Sequence, residues 1–306
     1  MRVLILGATG LLGLTMHRRW SARGWSVVGT GIGPVPKGFE TLDLLEFQQT
    51  RDFIRKCRAD VVVCSASNPH VDFCEKNHDE TRRLNVDAAL EAGRAAREAG
   101  ARFVFFSSDY VFDGEKGGYR EDDPVSPLNA YGRQNRAVEE ELLDWGEDAL
   151  TVRLCGLFGW ELVPRNFVLQ VLSRLRDGRG VQGVVDQVYT PTYVEFLERA
   201  VGDLVEKKAS GLFHLAGADA VNREEFARRI AEAFGLEGDI RGVKTSETFR
   251  PGAAPRPERS TLDCSKAAAV VGPMPGLQDS LRRMAESESS FSRFAGGFLP
   301  KEGAAR

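Results

Sequence analysis

Three glycines at a regular spacing stand near the start of the chain, directly after the apolar run of residues 2–6. They are Gly7, Gly10 and Gly13, and apolar positions at helical spacing follow from Leu11. In a strand–turn–helix unit the first glycine permits the tight bend, the second admits a pyrophosphate to backbone N–H groups, and the third lets the helix pack on the strand. The pattern predicts a dinucleotide-binding turn, with an ordinary tight turn as the alternative. The predicted cofactor contacts in this turn are Gly7, Thr9, Gly10, Leu11, Leu12 and Gly13.

The end of the second predicted strand bears on the choice of cofactor. An acidic residue there would bond the adenosine ribose 2′-hydroxyl and repel a 2′-phosphate. The strand predicted over 25–30 ends without one, and Arg18, Arg19 and Lys37 lie nearby. Unless these cations are simply solvated, the sequence favours NADPH, with NADH as the alternative. Further predicted cofactor contacts are Thr30, Asp43 and Leu44, the last two beside the adenine amine.

Strands and helices alternate through the first half of the chain. This alternation predicts a parallel sheet covered by helices on both faces. After about residue 160 the alternation loosens, which predicts a smaller second lobe. The predicted strands are residues 2–6, 25–30, 61–64, 102–107 and 150–154, and the predicted helices are residues 11–23, 47–57, 80–99, 131–145, 167–176, 193–207 and 223–234.

The composition excludes several classes of protein. With 306 residues the chain is long enough to bury a large core. Its 41 basic and 44 acidic side chains give a net charge of −3, which provides no attractive field for nucleic acid. Its apolar stretches are shorter than the ~20 residues that a bilayer requires, and no export signal is legible. We expect a soluble cytoplasmic protein without nucleic acid or membrane partners, for which a homodimer is one candidate assembly.

Cysteine usage bears on redox compartment and on metal binding. Five cysteines are scattered without a CxxC pair, which favours free thiols in a reducing compartment. His70, Cys74 and His78 recur every four residues and on one helix would form a stripe of metal ligands. Pro69 and the polar residues around it instead predict a loop and a helix start, and no fourth ligand is evident. We therefore expect no metal site.

Motifs after the strand at 102–107 carry a family resemblance. Residues 107–114 read SSDYVFDG, and residues 127–132 read PLNAYG. With these motifs the chain resembles the extended short-chain dehydrogenase/reductases and, more narrowly, the dTDP-4-dehydrorhamnose reductases and the related regulatory β subunit of methionine adenosyltransferase. The resemblance covers nearly the whole chain. Similar blocks fall at residues 71–72, 74–75, 85–86, 165–168, 186–187, 191–192, 213–217, 256–257 and 262–266.

The resemblance implies an α/β fold with a Rossmann-type, doubly wound parallel sheet and a smaller, discontinuous C-terminal substrate lobe. The implied NAD(P)-binding domain is residues 1–164, to which 187–218 returns. The implied substrate lobe is residues 165–186 and 219–290. Residues 291–306 lack a clear period and are expected to form a mobile tail.

The resemblance also implies the reduction of a ketone. A ketone that receives hydride develops negative charge on oxygen, so one hydroxyl acts as the acid and a second donates a hydrogen bond. By resemblance the acid is Tyr131 and the donor is Ser108. The family has a lysine four residues after the tyrosine, which bonds the nicotinamide ribose and favours the tyrosinate. That catalytic position is Asn135 here, and an amide carries no charge that would lower the pKa of a phenol.

Three cations near Tyr131 in sequence are candidate substitutes for the lysine. On an ideal helix Arg133 and Arg136 point away from the face of Tyr131. Lys116, on the preceding loop, is left as a candidate. By resemblance the further cofactor contacts are Ser65, Ala66, Ser67, Asn85, Ser107 and Tyr131 itself, and the substrate contacts are Asp109, Tyr110, Asn166, Gln187, Thr192 and Arg256.

A second departure from the family concerns the substrate. After the strand that carries Arg153 the family typically has a tryptophan, whereas residues 154–159 read LCGLFG here. Trp160 is a candidate aromatic platform, with packing in the core or at the lobe junction as the alternative. Arg256 suits a diphosphate because a guanidinium matches phosphate oxygens bidentately.

The resemblance leaves two functions from different classes. The first is an NADPH-dependent reductase of a nucleotide-linked 4-keto-6-deoxysugar, which transfers hydride to the C4 carbonyl with Tyr131 as acid. The second is a cofactor-binding regulatory or scaffold subunit whose catalysis is impaired, and Asn135 favours it. An epimerase or dehydratase of the same superfamily is less favoured, because those enzymes normally rely on the same tyrosine–lysine pair.

Overall fold

The computed structural model of the protein describes residues 1–248 and 252–296. The strands are β1 (Arg2–Leu6), β2 (Ser26–Gly31), β3 (Phe39–Thr41), β4 (Val61–Cys64), β5 (Arg102–Ser108), β6 (Ala149–Leu154), β7 (Leu157–Phe158), β8 (Val181–Val184), β9 (Val188–Tyr189), β10 (Thr192–Tyr193), β11 (Gly211–Leu215), β12 (Val221–Asn222) and β13 (Ile240–Val243). The helices are α1 (Leu11–Ala22), α2 (Phe47–Cys57), α3 (Val71–Lys76), α4 (His78–Arg82), α5 (Ala89–Glu98), α6 (Ala130–Leu143), α7 (Phe167–Arg176), α8 (Val194–Glu206), α9 (Arg223–Ala233), α10 (Thr245–Thr248), α11 (Ser265–Val271) and α12 (Leu277–Gly296).

Seven parallel strands form the central sheet in the order β11-β6-β5-β4-β1-β2-β3. The order reverses between β1 and β4, where Leu4 pairs with Val62 in register. Because the chain leaves these two strands towards opposite sides, a crevice opens at their carboxyl ends. The Rossmann-type, doubly wound sheet expected from the sequence is confirmed.

Both faces of the sheet are covered, as the continuous apolar runs of its strands require. Alternate residues of β1 point to opposite sides: Val3 and Ile5 pack with α1 and α8, whereas Leu4 and Leu6 pack with α2 and α5. The segment 187–218 contributes α8 and β11 to these layers. No helix of residues 1–248 and 252–296 is long and apolar enough to cross a membrane.

One predicted helix differs in form from its expectation. The sequence predicts a single helix over 80–99, whereas the chain forms α4, a π-helical segment at Arg83–Ala88 and then α5. The wider π turn carries Asn85, whose side chain is buried towards the loop after β4. Such turns interrupt helices frequently at functional sites.

The smaller lobe has its own apolar core. Side chains from α7, α9 and α12 pack together with residues of β8 and β13. Trp160 lies in this lobe, where its indole N–H donates to the Met284 carbonyl at 2.9 Å and its ring stacks on Phe291. Trp160 therefore packs against the core of the smaller lobe, one of the alternatives that the sequence left open. The tail predicted to be mobile begins inside α12, and residues 297–306 lie outside the described residues.

A buried charge cluster joins α6 to the sheet. Arg153 of β6 and Glu139 of α6 are each 1% exposed and form a bidentate ion pair at 2.7 and 2.8 Å. The Ser107 hydroxyl donates to the same carboxylate. Burial and the nearby Arg153 lower the pKa of His214 to about 3, so its neutral ring accepts from Arg153 through Nε2 and donates from Nδ1 to the Tyr119 carbonyl. Three strands thus hold one helix through a satisfied polar network.

We expect Glu139→Gln to lower the free energy of unfolding by about 3 kcal/mol, because the substitution leaves Arg153 charged and buried without a carboxylate. Urea denaturation followed by circular dichroism measures this loss. Glu140→Gln is the matched control, because Glu140 is exposed and its pair with Arg136 is worth less than about 1 kcal/mol. Equal urea midpoints for the two variants would contradict the stabilising role assigned to the buried pair.

Candidate active site

The turn after β1 is built by close backbone contacts that exclude side chains. Gly7 has a φ of +79°, and a Cβ atom on it would lie 2.6 Å from the backbone of Ala66. A Cβ atom on Gly13 would lie 2.5 Å from the Gly7 carbonyl oxygen. The N–H groups in the first turn of α1 have no intrahelical partners, and no side chain caps them. They therefore favour an anion. The arrangement fits the pyrophosphate of a dinucleotide.

A cleft of about 860 Å³ lies at the carboxyl edge of the sheet and extends to the smaller lobe. The N-terminus of α1, the end of β4 and the end of β5 form its inner wall. Residues of α7 and α9 form part of its outer wall. The predicted site residues that line it are Gly10, Leu11, Leu12, Ser65, Ala66, Ser67, Asn85, Ser107, Ser108, Asp109, Tyr110, Tyr131, Asn135, Asn166 and Arg256.

Other predicted contacts lie outside the wall of the cleft. The buried Thr30 hydroxyl is 3.5 Å from the Ile5 carbonyl oxygen. The Thr192 hydroxyl donates to the Cys155 carbonyl at 2.6 Å, and the Gln187 amide donates to the Thr245 hydroxyl at 3.1 Å. Thus Thr192 and Gln187 bond within the protein. The remaining predicted residues outside the wall are Gly7, Thr9, Gly13, Asp43 and Leu44.

The arginines offered as partners for a 2′-phosphate are engaged elsewhere. Arg18 pairs with Glu195 of α8 at 2.8 Å. Arg19 pairs with Glu195 at 3.1 Å and with Glu198 at 3.3 Å. Lys37 is exposed in the segment between β2 and β3. The ion pairs of Arg18 and Arg19 therefore leave neither arginine free for a 2′-phosphate.

Tyr131 stands in the first turn of α6, whose start is tightly fixed. The Asn129 side chain caps the helix by accepting from the Gly132 N–H at 2.9 Å. A Cβ atom on Gly132 would lie 2.1 Å from the Tyr110 carbonyl oxygen, so only glycine lets the helix approach this loop. The rings of Tyr110 and Tyr131 meet edge to face, with their centres 6.0 Å apart. Both phenols thus lie in the wall of the cleft.

The residue in the position of the family lysine does not reach outward. The Asn135 amide donates to the Tyr131 carbonyl one turn earlier at 2.9 Å. Burial raises the pKa of Tyr131 to about 12, and a hydrogen bond from the Asn135 side chain acts in the opposite direction. The Tyr131 phenol is therefore protonated at neutral pH, and its anion is poorly stabilised.

The cations considered as substitutes for the lysine are paired elsewhere. Lys116 bonds both oxygens of Asp123 at 2.7 Å. Arg136 donates to Glu140 at 3.0 Å. Arg133 donates to the Leu128 carbonyl and lies 3.5 Å from Glu75. None of these three side chains lines the cleft around Tyr131 within the described part of the chain.

Ser108 belongs to a short polar chain at the end of β5. Its hydroxyl donates to Asp109 at 2.9 Å and accepts from the Tyr110 N–H at 3.2 Å. The other oxygen of Asp109 accepts from the Cys155 thiol at 3.2 Å. Burial raises the pKa of Asp109. Asp109, expected to contact substrate, thus has both carboxylate oxygens engaged by side chains of the protein.

The π turn positions the loop that follows β4. The Asn85 side chain accepts from the Asn68 N–H at 2.7 Å and donates to the Asn68 carbonyl and to the Gln134 side chain. Asn85 therefore links this loop to α6. The Cys74 thiol donates to the Asn68 carbonyl, and no cluster of metal-ligating side chains occurs within residues 1–248 and 252–296.

Sequence reasoning missed two residues on the lobe side of the cleft. Tyr189 packs its ring on Gly156, where a Cβ atom would lie 2.6 Å from the ring. Arg223 lies over this ring, with its guanidinium carbon 5.3 Å from the ring centre. No spacing in the sequence signals this contact, because β9 and α9 meet only in the folded lobe.

A family model for the RmlD substrate binding domain matches residues 1–289. The chain belongs to this RmlD family. The family resemblance stated from the sequence motifs is therefore confirmed.

Proteins similar to this chain have different roles by name. The methionine adenosyltransferase 2 subunit beta of Pongo abelii is 32% identical over 273 residues, which are 87% of this chain and 81% of that protein. A probable low-salt glycan biosynthesis reductase of Haloferax volcanii is 30% identical over 305 residues, which are 95% of this chain and 100% of that protein. The RmlD relatives thus include a reductase and a subunit of another enzyme.

Two solved structures are similar to this RmlD family member. A hypothetical dTDP-4-dehydrorhamnose reductase from Sulfolobus tokodaii is 33% identical with a TM-score of 0.83, over 92% of this chain and 99% of that chain. A dTDP-4-dehydrorhamnose reductase from Bacillus anthracis, solved in complex with NADP, is 26% identical with a TM-score of 0.84, over 92% of this chain and 98% of that chain.

We expect Tyr110, Tyr131 and Tyr193 not to ionise below about pH 11 while the protein is folded, because burial raises the pKa of each to about 12. Absorbance at the phenolate band during an alkaline titration measures this. In Asn135→Lys the added cation lowers the pKa of Tyr131, so one phenolate forms at a lower pH than in the wild type. The double variant Asn135→Lys/Tyr131→Phe lacks this phenolate. A wild-type phenolate near pH 10 that Tyr131→Phe removes would contradict the assignment.

Proposed function

We propose that the protein is an NADPH-dependent reductase of a nucleotide-linked 4-keto-6-deoxysugar and transfers hydride to the C4 carbonyl. The observation that carries the proposal is the presence of Tyr131, Ser108 and the uncapped N-terminus of α1 in the wall of one cleft. Reductases among the relatives support the reaction class. The reduced nicotinamide, when bound, supplies the hydride.

Tyr131 supplies the proton in this proposal. Negative charge develops on the ketone oxygen as hydride arrives, and the Tyr131 O–H protonates that oxygen. A phenol with a pKa of about 12 holds its proton throughout the neutral range, so the acid form is always available. The cost lies in forming the tyrosinate, because Asn135 offers no charge to stabilise it. We therefore propose a competent but slow reductase.

Ser108 stabilises the developing charge through a hydrogen bond. Its hydroxyl donates to Asp109 in the structure, so a bound ketone competes with the Asp109 carboxylate for that proton. If Asp109 is protonated it donates to Ser108 instead, and the Ser108 proton is free to reach the ketone oxygen. The burial that raises the pKa of Asp109 favours this arrangement.

We propose NADPH as the preferred cofactor. The end of β2 has no carboxylate that would bond a ribose 2′-hydroxyl or repel a 2′-phosphate. The Bacillus anthracis relative was also solved with NADP. The first-turn N–H groups of α1 would hold the pyrophosphate, and Ser65, Ala66 and Ser67 would line the path towards Tyr131. While one Asn135 N–H bonds the Tyr131 carbonyl, the amide oxygen and the second N–H of Asn135 would remain available to a ribose hydroxyl.

The reductase activity is tested by following NADPH absorbance with dTDP-4-dehydrorhamnose as substrate. We expect turnover by the wild type, and Tyr131→Phe lowers kcat/KM by about 10²–10⁴-fold because the proton donor is lost. Asn135→Lys raises kcat by about tenfold or more. Arg133→Lys is the matched control on the same helix, and it leaves kcat unchanged. Full activity in Tyr131→Phe would contradict the proposed acid.

The pH profile gives an independent test of the same step. The active form carries a protonated Tyr131, so activity is lost only as the pH rises through its pKa of about 12. We expect a wild-type kcat that does not fall between about pH 7 and about pH 10. Asn135→Lys lowers the pKa of Tyr131 and brings an alkaline fall into this range. A wild-type alkaline fall below about pH 9 would contradict this expectation.

A regulatory subunit is the second candidate function. Asn135 and the pairing of Lys116, Arg133 and Arg136 elsewhere favour it, and so does the likeness to a subunit of methionine adenosyltransferase. In this case NADPH binds and no tested ketosugar is turned over by the wild type. Turnover that appears only in Asn135→Lys would support this candidate, whereas wild-type turnover would reject it.

A further inference from the structure

Arg223 is a cation in the cleft whose charge no neighbouring carboxylate takes up. It opens α9 and lines the lobe side of the cleft. The two acidic residues that follow it, Glu224 and Glu225, pair with Arg228 and Arg229 on the next turn. Among the described residues no carboxylate lies within ion-pair distance of Arg223. A positive charge in the first turn also opposes the helix dipole, so α9 itself does not favour it there.

Two aromatic rings hold the Arg223 guanidinium in place. Its central carbon lies 5.0 Å from the ring centre of Phe167 and 5.3 Å from that of Tyr189. Guanidinium groups stack on aromatic faces while their N–H edges stay free to donate. The stacking fixes the plane of Arg223 without using its hydrogen-bond donors.

Tyr189 lines the same wall, and its hydroxyl has no hydrogen-bond partner among the described residues. Its oxygen is buried, and it is one of two buried side-chain polar atoms without a hydrogen bond in the described part of the chain, the other being the Thr190 hydroxyl. Buried hydroxyls in folded proteins are nearly always bonded. An unbonded donor beside an unpaired guanidinium points to a ligand that accepts hydrogen bonds and carries negative charge.

This pair and the catalytic phenol line the same cleft. Its wall contains Tyr131 and Tyr110 together with Arg223 and Tyr189. The ring of Tyr110 is 6.0 Å from that of Tyr131. Arg256, the sequence candidate for binding a diphosphate, pairs with Asp72 at 2.5 Å. Of these two arginines, Arg223 carries the uncompensated charge.

We propose that Arg223 and Tyr189 form an oxyanion subsite that binds a phosphate or carboxylate of the substrate and so places the ketone in front of Tyr131. The subsite rests on the proposed function, since it serves the same cleft. Arg223 donates two parallel N–H groups to the anion, and the Tyr189 hydroxyl donates a third hydrogen bond. The anion is either the diphosphate of a nucleotide-sugar or a carboxylate on the sugar.

Calorimetric titration of the full chain with dTDP, and separately with glucuronate, tests the subsite and distinguishes the two sources. We expect one probe to bind the wild type and to lose about tenfold to hundredfold in affinity in Arg223→Gln. In Tyr189→Phe we expect the affinity for the same probe to fall about threefold to tenfold. If only the affinity for dTDP falls, the anion bound by the subsite is a phosphate. If only the affinity for glucuronate falls, the anion is a carboxylate.

Arg241→Gln is the matched control, because Arg241 lies on the same lobe, is exposed and pairs with Asp239. This control leaves the affinity for either probe unchanged. Arg223→Lys keeps the charge but not the bidentate geometry, and we expect an intermediate loss, which also covers the case in which Arg223→Gln folds poorly. Affinity for NADPH, measured on every variant, stays at the wild-type value.

The proposal is overturned if Arg223→Gln and Arg223→Lys bind both probes as the wild type does, or if neither probe binds the wild type. Its failure differs from failure of the proposed function. If the protein turns over a ketosugar but its affinity for the probes does not depend on Arg223, only the subsite is rejected. If no ketosugar is turned over but the probe affinity does depend on Arg223, only the reductase is rejected.

Discussion

The buried ion pair between Arg153 and Glu139 is the contact on which the geometry of the cleft depends. It joins the middle of α6 to β6, and the hydroxyl of Ser107 extends the network to β5. Because Tyr131 lies two helical turns before Glu139, this network limits how far the phenol can move relative to the carboxyl ends of the strands. The Gly132 contact with the Tyr110 carbonyl fixes the other end of the same segment. Tyr131 is therefore held from both sides by contacts that do not involve the family lysine position.

This separation explains how the cleft keeps its shape although one catalytic charge is missing. Asn135 bonds the Tyr131 carbonyl of its own helix and lies in the wall of the cleft. What the absence of the lysine removes is the stabilisation of a tyrosinate, and that matters only when a proton leaves Tyr131. Both proposed functions, slow reduction and cofactor binding by a regulatory subunit, use this same cleft.

The regular part of the fold was predictable from local patterns. Fully buried strands such as Val61–Cys64 appear as short apolar runs, and the glycine spacing after β1 marks the switch point of the sheet. Pairings between distant segments were not predictable. The carboxylates that take up Arg18 and Arg19 lie 176 residues or more along the chain, and Tyr189 meets Gly156 only in the folded lobe. Family motifs predicted that Ser108 and Asp109 lie at the cleft, but they did not show that the Ser108 hydroxyl donates to the Asp109 carboxylate.

The central claim is that the cleft holds a nicotinamide cofactor with its reactive ring beside the Tyr131 phenol. A crystal structure of the protein with NADP⁺ bound measures this directly. We expect the pyrophosphate on the N–H groups of Leu11 and Leu12, the nicotinamide next to the Tyr131 hydroxyl, and the Asn135 amide within reach of a ribose hydroxyl. A cofactor seated elsewhere, or a Tyr131 side chain turned into the packed interior, would contradict it.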